Sequence, residues 1–139
     1  MSSEDDNTED PLEKIVEDKD AINRERLANA IDGIVHVDQD SGEVIIRDGY
    51  NELGNKARFV ARLLARRAAV ELEYIEPDEI GASSSEFAER MDPTESTIQN
   101  YGSFDFVDND GERGGYYIPD HSVGLAINYL NEETSDTNK

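Results

Sequence analysis

The stretch Ser84-Ser85-Glu86-Phe87-Ala88-Glu89-Arg90-Met91-Asp92-Pro93-Thr94-Glu95-Ser96-Thr97-Ile98-Gln99-Asn100-Tyr101-Gly102-Ser103 holds two short helical patterns on either side of one turn. The first covers 84–91, and Phe87, Ala88 and Met91 mark its buried side. Asp92-Pro93 is a turn signal. The second runs from Thr94 to about Ser103, anchored by Ile98 and Tyr101. Those two residues are three positions apart and share a helix face. The opposite face therefore carries Glu95, Ser96, Gln99 and Asn100, with Thr97 at its margin.

Outward from this pair, the upstream segment Asn51 to Glu73 is the strongest helix signal in the chain. Phe59, Val60, Leu63, Leu64 and Val70 recur at helical spacing with alanines between them. Downstream, two β-type runs, Phe104 to Val107 and Tyr116 to Ile118, flank the turn-rich loop Asp108 to Gly115. Pro119-Asp120 then opens a last helix with Val123, Ala126, Ile127 and Leu130 as its stripe. At the other end, Asp10-Pro11 can cap a helix start. Leu12, Ile15 and Val16 form an apolar stripe that stumbles at Asp18-Lys19-Asp20 and resumes with Ile22, Leu27, Ala30 and Ile31. The spacing predicts one kinked helix or two short ones ending near Gly33. A hairpin follows, with Ile34 to Val37 and Val44 to Arg47 around the loop Asp38 to Glu43. That loop has D-x-D spacing, but a calcium loop needs Gly sixth and a carboxylate twelfth. Glu43 and Gly49 stand there, so a polar turn is the better reading.

From Asn51 onward the order is long helix, short helix, turn, short helix, hairpin, helix. It resembles the winged helix-turn-helix domain of transcription regulators over about residues 51–131. The fold expected is α+β, mainly α, with an N-terminal helix and β-hairpin extension. Its divisions are an acidic tail at 1–10, an extension module at 11–50, the winged domain at 51–131 and a tail at 132–139. The resemblance makes 94–103 the recognition helix and 104–118 the wing. It implies double-stranded DNA as partner, with Ser96, Thr97, Gln99 and Asn100 facing bases or phosphates. Arg90 and Arg113 would sit at the end of the preceding helix and in the wing loop. Gln and Asn can bond adenine in pairs, and Ser and Thr can reach bases or phosphate. The departure from the family pattern is a recognition helix without Lys or Arg.

The composition bears on that departure. The chain has 139 residues, 33 acids against 13 bases, and a net charge of −20. Four bases are Lys and nine are Arg. Abundant acid, little Lys and small apolar residues resemble the proteome of a salt-in halophilic archaeon. In molar salt the Debye length shrinks to about 3 Å, and self-repulsion is screened. Counterion release then contributes little for any DNA binder, so a recognition helix without cations loses less. Absent cysteine excludes disulfides and Cys-based zinc sites. No apolar run is long enough to span a membrane, and the polar N-terminus is not a signal peptide, so a cytoplasmic location is expected.

Residues 53–72 alone are basic, with five bases and one acid. Arg58, Arg62 and Arg66 recur at i, i+4, i+8, with Arg67 beside them. This stripe is read first as meeting an acidic surface, either the chain's own N-terminal region or a second subunit. Phosphate contact and a solvated face are the other readings. His36 and His121 share no motif, and no nucleophile, phosphate-loop or metalloprotease pattern appears. Neither an enzyme nor a cofactor is expected. The sequence thus points to a dimeric DNA-binding regulator, with a winged-helix protein-interaction module or adaptor as the alternative.

Overall fold

A computed structural model describes residues 19–91 and 93–137. The expectations for 1–18, for Asp92 and for 138–139 lie outside it. Helix α1 spans Lys19–Ile31. Gly33, at a left-handed φ of +81°, turns the chain out of it. Strands β1 (Val35–Val37) and β2 (Val44–Ile46) form an antiparallel hairpin with Val35 opposite Ile46. Its loop closes on itself, with the Asp38 carboxylate accepting from the Asp40 N–H at 2.8 Å.

The helix expected over Asn51 to Glu73 is divided. A single turn, α2, covers Asp48–Asn51, and α3 covers Asn55–Glu71. Gly54 is extended between them, at φ −74° and ψ 168°. Glycine's poor helix propensity makes the break cheap. Arg58 then closes the gap, donating to the Tyr50 and Asn51 carbonyls at 3.1 and 2.8 Å.

Helices α4 (Ser84–Arg90) and α5 (Glu95–Tyr101) follow, each with its own cap. Ser83 accepts from the Glu86 N–H, and Thr94 from the Thr97 N–H. Strands β3 (Asp108–Asp110) and β4 (Gly115–Tyr117) make the second hairpin. Ala82 bridges Tyr116 on the other edge of β4. The first strand had been expected at Phe104 to Val107. Those residues instead form successive turns, with the Phe104 N–H bonded to Tyr101 O and the Val107 N–H to Phe104 O. The turns bring Phe104 and Phe106 together with ring centroids 4.8 Å apart, both against Tyr129. The backbone of the acidic Asp-Asn-Asp run does the pairing, so ladder and packing override its low β-propensity.

Helix α6 runs Val123–Thr137, six residues into the stretch expected as a tail. Asn131 and Thr134 face Asn29, Gly33 and Leu53 across a cleft, so the last turns lie beside the N-terminal part. The fold is α+β and mainly helical, with two two-stranded sheets among the described residues. One apolar cluster runs from Leu27 and Ile31 through Phe59, Leu63 and Leu64 to Ile98, Ile118 and Leu130. It joins the extension to the rest without a seam.

Candidate nucleic-acid interface

Phe59 sets the position of the short helix pair. Its ring is fully buried and lies 4.9 Å from Phe87 of α4, 5.7 Å from Tyr101 of α5 and 6.2 Å from Tyr116 of β4. Ile98 is likewise fully buried. With that side fixed inward, Glu95, Ser96, Gln99 and Asn100 are exposed on one face, and Thr97 is half-buried. Ser84 Oγ donates to Glu95 Oε1 at 3.2 Å, and Gln99 Nε2 donates to Ser84 Oγ at 3.4 Å. These bonds tie the start of α4 to the outer face of α5. Asn100 lies near Lys56 and Ser103 at the far end of that face. Lys56 had no signal of its own in the sequence beyond its charge.

The two other arginines of the expected site stand at the end of α4 and in the tip of the second hairpin. Arg113 stands in the tip of the second hairpin, with Nε 3.4 Å from Asp110 Oδ2 and its guanidinium 5.3 Å from the centroid of Tyr117. Arg90 is exposed at the end of α4 and borders a small cleft with Glu43, Val44 and Glu86.

The arginines of α3 turn inward. Arg62 Nε donates to the Tyr50 hydroxyl at 2.8 Å, and Nη2 to the Arg90 carbonyl at 3.4 Å. Arg66 donates to three consecutive carbonyls: Glu79 at 2.6 Å, Ile80 at 2.7 Å and Gly81 at 3.0 Å. Arg67 reaches the Ile118 carbonyl at 3.0 Å and Glu71 at 3.4 Å. Arg58 and Arg62 both cover the Tyr50 ring, each 5.2 Å from its centroid. Burial lowers the pKa of Arg66, and Glu86 opposes that shift. An arginine stays cationic even so. The partners of Arg58, Arg62 and Arg66 are thus mainly backbone oxygens of the chain itself. A helix face that must close several loops needs donors that fork, and guanidinium supplies them.

The tip of the second hairpin is mounted without side chains. The Gly81 N–H donates to Arg113 O at 2.7 Å, and Tyr116 N–H to Ala82 O at 2.8 Å. Gly114 and Gly115 have φ of +100° and +132°. A Cβ on Gly115 would come 2.5 Å from the Ala82 carbonyl oxygen, so only glycine permits this approach.

A second feature had no sequence signal. A groove of about 590 Å³ runs between α1, the first hairpin and the end of α3. Leu27, Ile31, Val35, Leu72 and Tyr74 line it, and Arg24 borders it. His36 Nε2 sits there too, 3.3 Å from Asp32 Oδ1. His121 is exposed in the turn before α6. Among the described residues no group of three or more His, Cys, Asp or Glu converges as metal ligands would. Nor is any described helix long and apolar enough to cross a membrane.

Chemically, the outer face of α5 offers amides and hydroxyls for directional bonds and little charge for phosphate. Comparison with protein-family models, curated proteins and solved structures found no match.

Proposed function

We propose that the chain is a DNA-binding transcriptional regulator of the winged-helix kind, acting in the high-salt cytoplasm of a halophilic archaeon. The observation that carries the reading is the outer face of α5, where Ser96, Gln99 and Asn100 stand exposed above the buried Ile98. Support comes from the order α3, α4, α5, hairpin, and from the Ala82 bridge that adds a third extended piece beside β4. In this reading α5 enters the major groove, and Gln99 and Asn100 bond base edges. Arg113 in the hairpin tip and Lys56 near the end of α5 meet phosphate. Two copies would read two half-sites.

So few cations predict a weak salt dependence. Each neutralised phosphate steepens the fall of log K with log salt by about 0.9, so two cations on each of two copies give a slope of about −4. The test is selection of bound duplexes from a random library in molar KCl, with folding confirmed by circular dichroism. An enriched motif, lost when Gln99 and Asn100 are both changed to Ala, supports the reading. No enrichment by the folded protein overturns it.

One observation favours a second reading. Glu95 lies on the α5 face and Arg113 is paired with Asp110, so the surface is poor in available cation. A winged-helix module for protein contacts fits that surface. It predicts a partner protein retained at molar salt and no enriched duplex.

A further inference from the structure

The first hairpin ends in an open edge, and its register fixes which backbone groups face outward. The Arg47 N–H donates to Ile34 O and the Asp38 N–H to Glu43 O, each at 2.9 Å. Pairs 34/47 and 38/43 are therefore the hydrogen-bonded kind, and so is 36/45 between them. Val44 and Ile46 occupy the alternate pairs, opposite Val37 and Val35. Their N–H and C=O groups point away from β1, across the free edge of β2. Among the described residues none accepts from or donates to them.

Along this strand Ile45 and Ile46 are exposed, while Val44 is half-buried and borders the small cleft with Glu86 and Arg90. Ile45 is 40% exposed and Ile46 38%, two of the five large apolar residues left in water among the described residues. Glu43 and Arg47 flank them, both exposed, and neither has an ion pair among the described residues. Such an edge is a template for a further strand.

We propose that the occupant is a second copy of this chain, pairing β2 to β2 in antiparallel fashion about a two-fold axis at Ile45. The inference deepens the regulator reading, in which two copies bind together, but its test uses no DNA. The sequence Glu43-Val44-Ile45-Ile46-Arg47 is complementary to itself in that orientation. Val44 falls opposite Ile46 of the second copy, and Ile46 opposite its Val44. The two Ile45 side chains meet at the axis. Glu43 falls opposite Arg47 of the second copy at both ends, which cancels two charges of each sign.

The hydrogen-bond phase agrees with this register. Ile45 sends its backbone groups toward β1, so the central Ile45 pair must be non-bonded. The pairs on either side, 44 with 46, then exchange four N–H···O bonds and use every outward group of the strand. A two-fold contact of this kind is isologous and closes at two copies. The result is one four-stranded sheet, with order β1-β2-β2-β1. The strand is three residues long, so the contact is small and the dimer depends on concentration.

Sedimentation equilibrium of the full chain over a range of concentrations tests this. Ile46→Pro removes only an outward N–H, because Ile46 donates nothing to β1, and proline is tolerated on an edge. It deletes two of the four bonds and is expected to weaken dimerisation about tenfold or more, with the circular dichroism spectrum unchanged. A second pair of variants covers the case in which the proline disturbs folding. Glu43→Arg sets like charges opposite each other and should weaken the dimer. Glu43→Arg with Arg47→Glu restores the match and should restore it. These two are compared at the lowest KCl that keeps the chain folded, where screening is least. A wild-type chain that stays monomeric, a folded proline variant with unchanged association, or a failed charge rescue overturns the proposal. DNA selection results do not enter, so the dimer and the DNA reading fail separately.

Discussion

Helices α3 and α5 meet where Phe59 of α3 packs on Tyr101 of α5, yet they treat charge in opposite ways. Helix α3 carries Arg58, Arg62, Arg66 and Arg67 and directs their guanidiniums to backbone carbonyls, a phenol and a neighbouring carboxylate. Helix α5 carries no cation and leaves Ser96, Gln99 and Asn100 exposed. Four of the five bases in the segment that is basic in sequence are therefore tied down within the molecule, and Lys56 is left exposed. The α3 arginines act as cross-ties, whereas α5 presents amides, hydroxyls and the Glu95 carboxylate to solvent. A count of charges along a segment says how many cations are present, not whether they face solvent.

That contrast can be broken by substitution. The largest effect is expected at Arg66, whose fork holds the Glu79, Ile80 and Gly81 carbonyls. Arg66→Met keeps the aliphatic stem and removes the donors. It should destabilise by about 3 kcal/mol, since bonds to charged groups contribute roughly 1.5–3 kcal/mol and this site is partly solvated. Urea melts read this directly. A change under about 0.5 kcal/mol would return Arg66 to a solvated face.

A smaller loss is expected for Tyr50→Phe. It removes the hydroxyl that accepts from Arg62 at 2.8 Å but leaves the ring beneath both guanidiniums. The cost should be about 1–2 kcal/mol. Combined with Arg62→Met, it should add less than its own single value, because both changes remove one bond. Strict additivity would show that the two side chains act independently.

The smallest effect on stability belongs to α5. Changing Gln99 and Asn100 together to Ala should change the unfolding free energy in urea melts by no more than about 0.5 kcal/mol, as for exposed positions elsewhere. The same double variant should lose selective DNA binding if the proposed reading holds. A large stability loss would mean that the Ser84–Gln99 contact carries the helix pair, and the contrast with α3 would shrink.

Periodicity read the α5 face well. Ile98 and Tyr101 are both buried, as their spacing required, and the opposite residues are exposed. The i, i+4, i+8 spacing of arginines likewise put them on one face of α3. It could not name their partners, because a carbonyl acceptor leaves no mark in the sequence. Phe104 and Phe106 misled for a related reason. Alternation suits a strand, yet successive turns can also bring residues two apart to one side, and only Tyr129 decides between them. The polar 132–137 stretch looked like a tail because its support comes from α1, about a hundred residues away in sequence. The groove beside His36 was invisible for the same reason, since it exists only once three separate elements meet.

The glycine mount of the second hairpin has a consequence for how a duplex would be fitted. Backbone is bonded to backbone at Gly81–Arg113 and Ala82–Tyr116, and Arg66 clamps the Gly81 carbonyl from α3. The distance from α5 to the Arg113 tip is therefore set, like the gap of a caliper without a joint. In the proposed DNA reading, the duplex bends or changes its groove width wherever its own spacing differs from that gap. The energy of that deformation depends on the flexibility of the base steps between them. Sequence preference would then extend to base pairs that no side chain contacts.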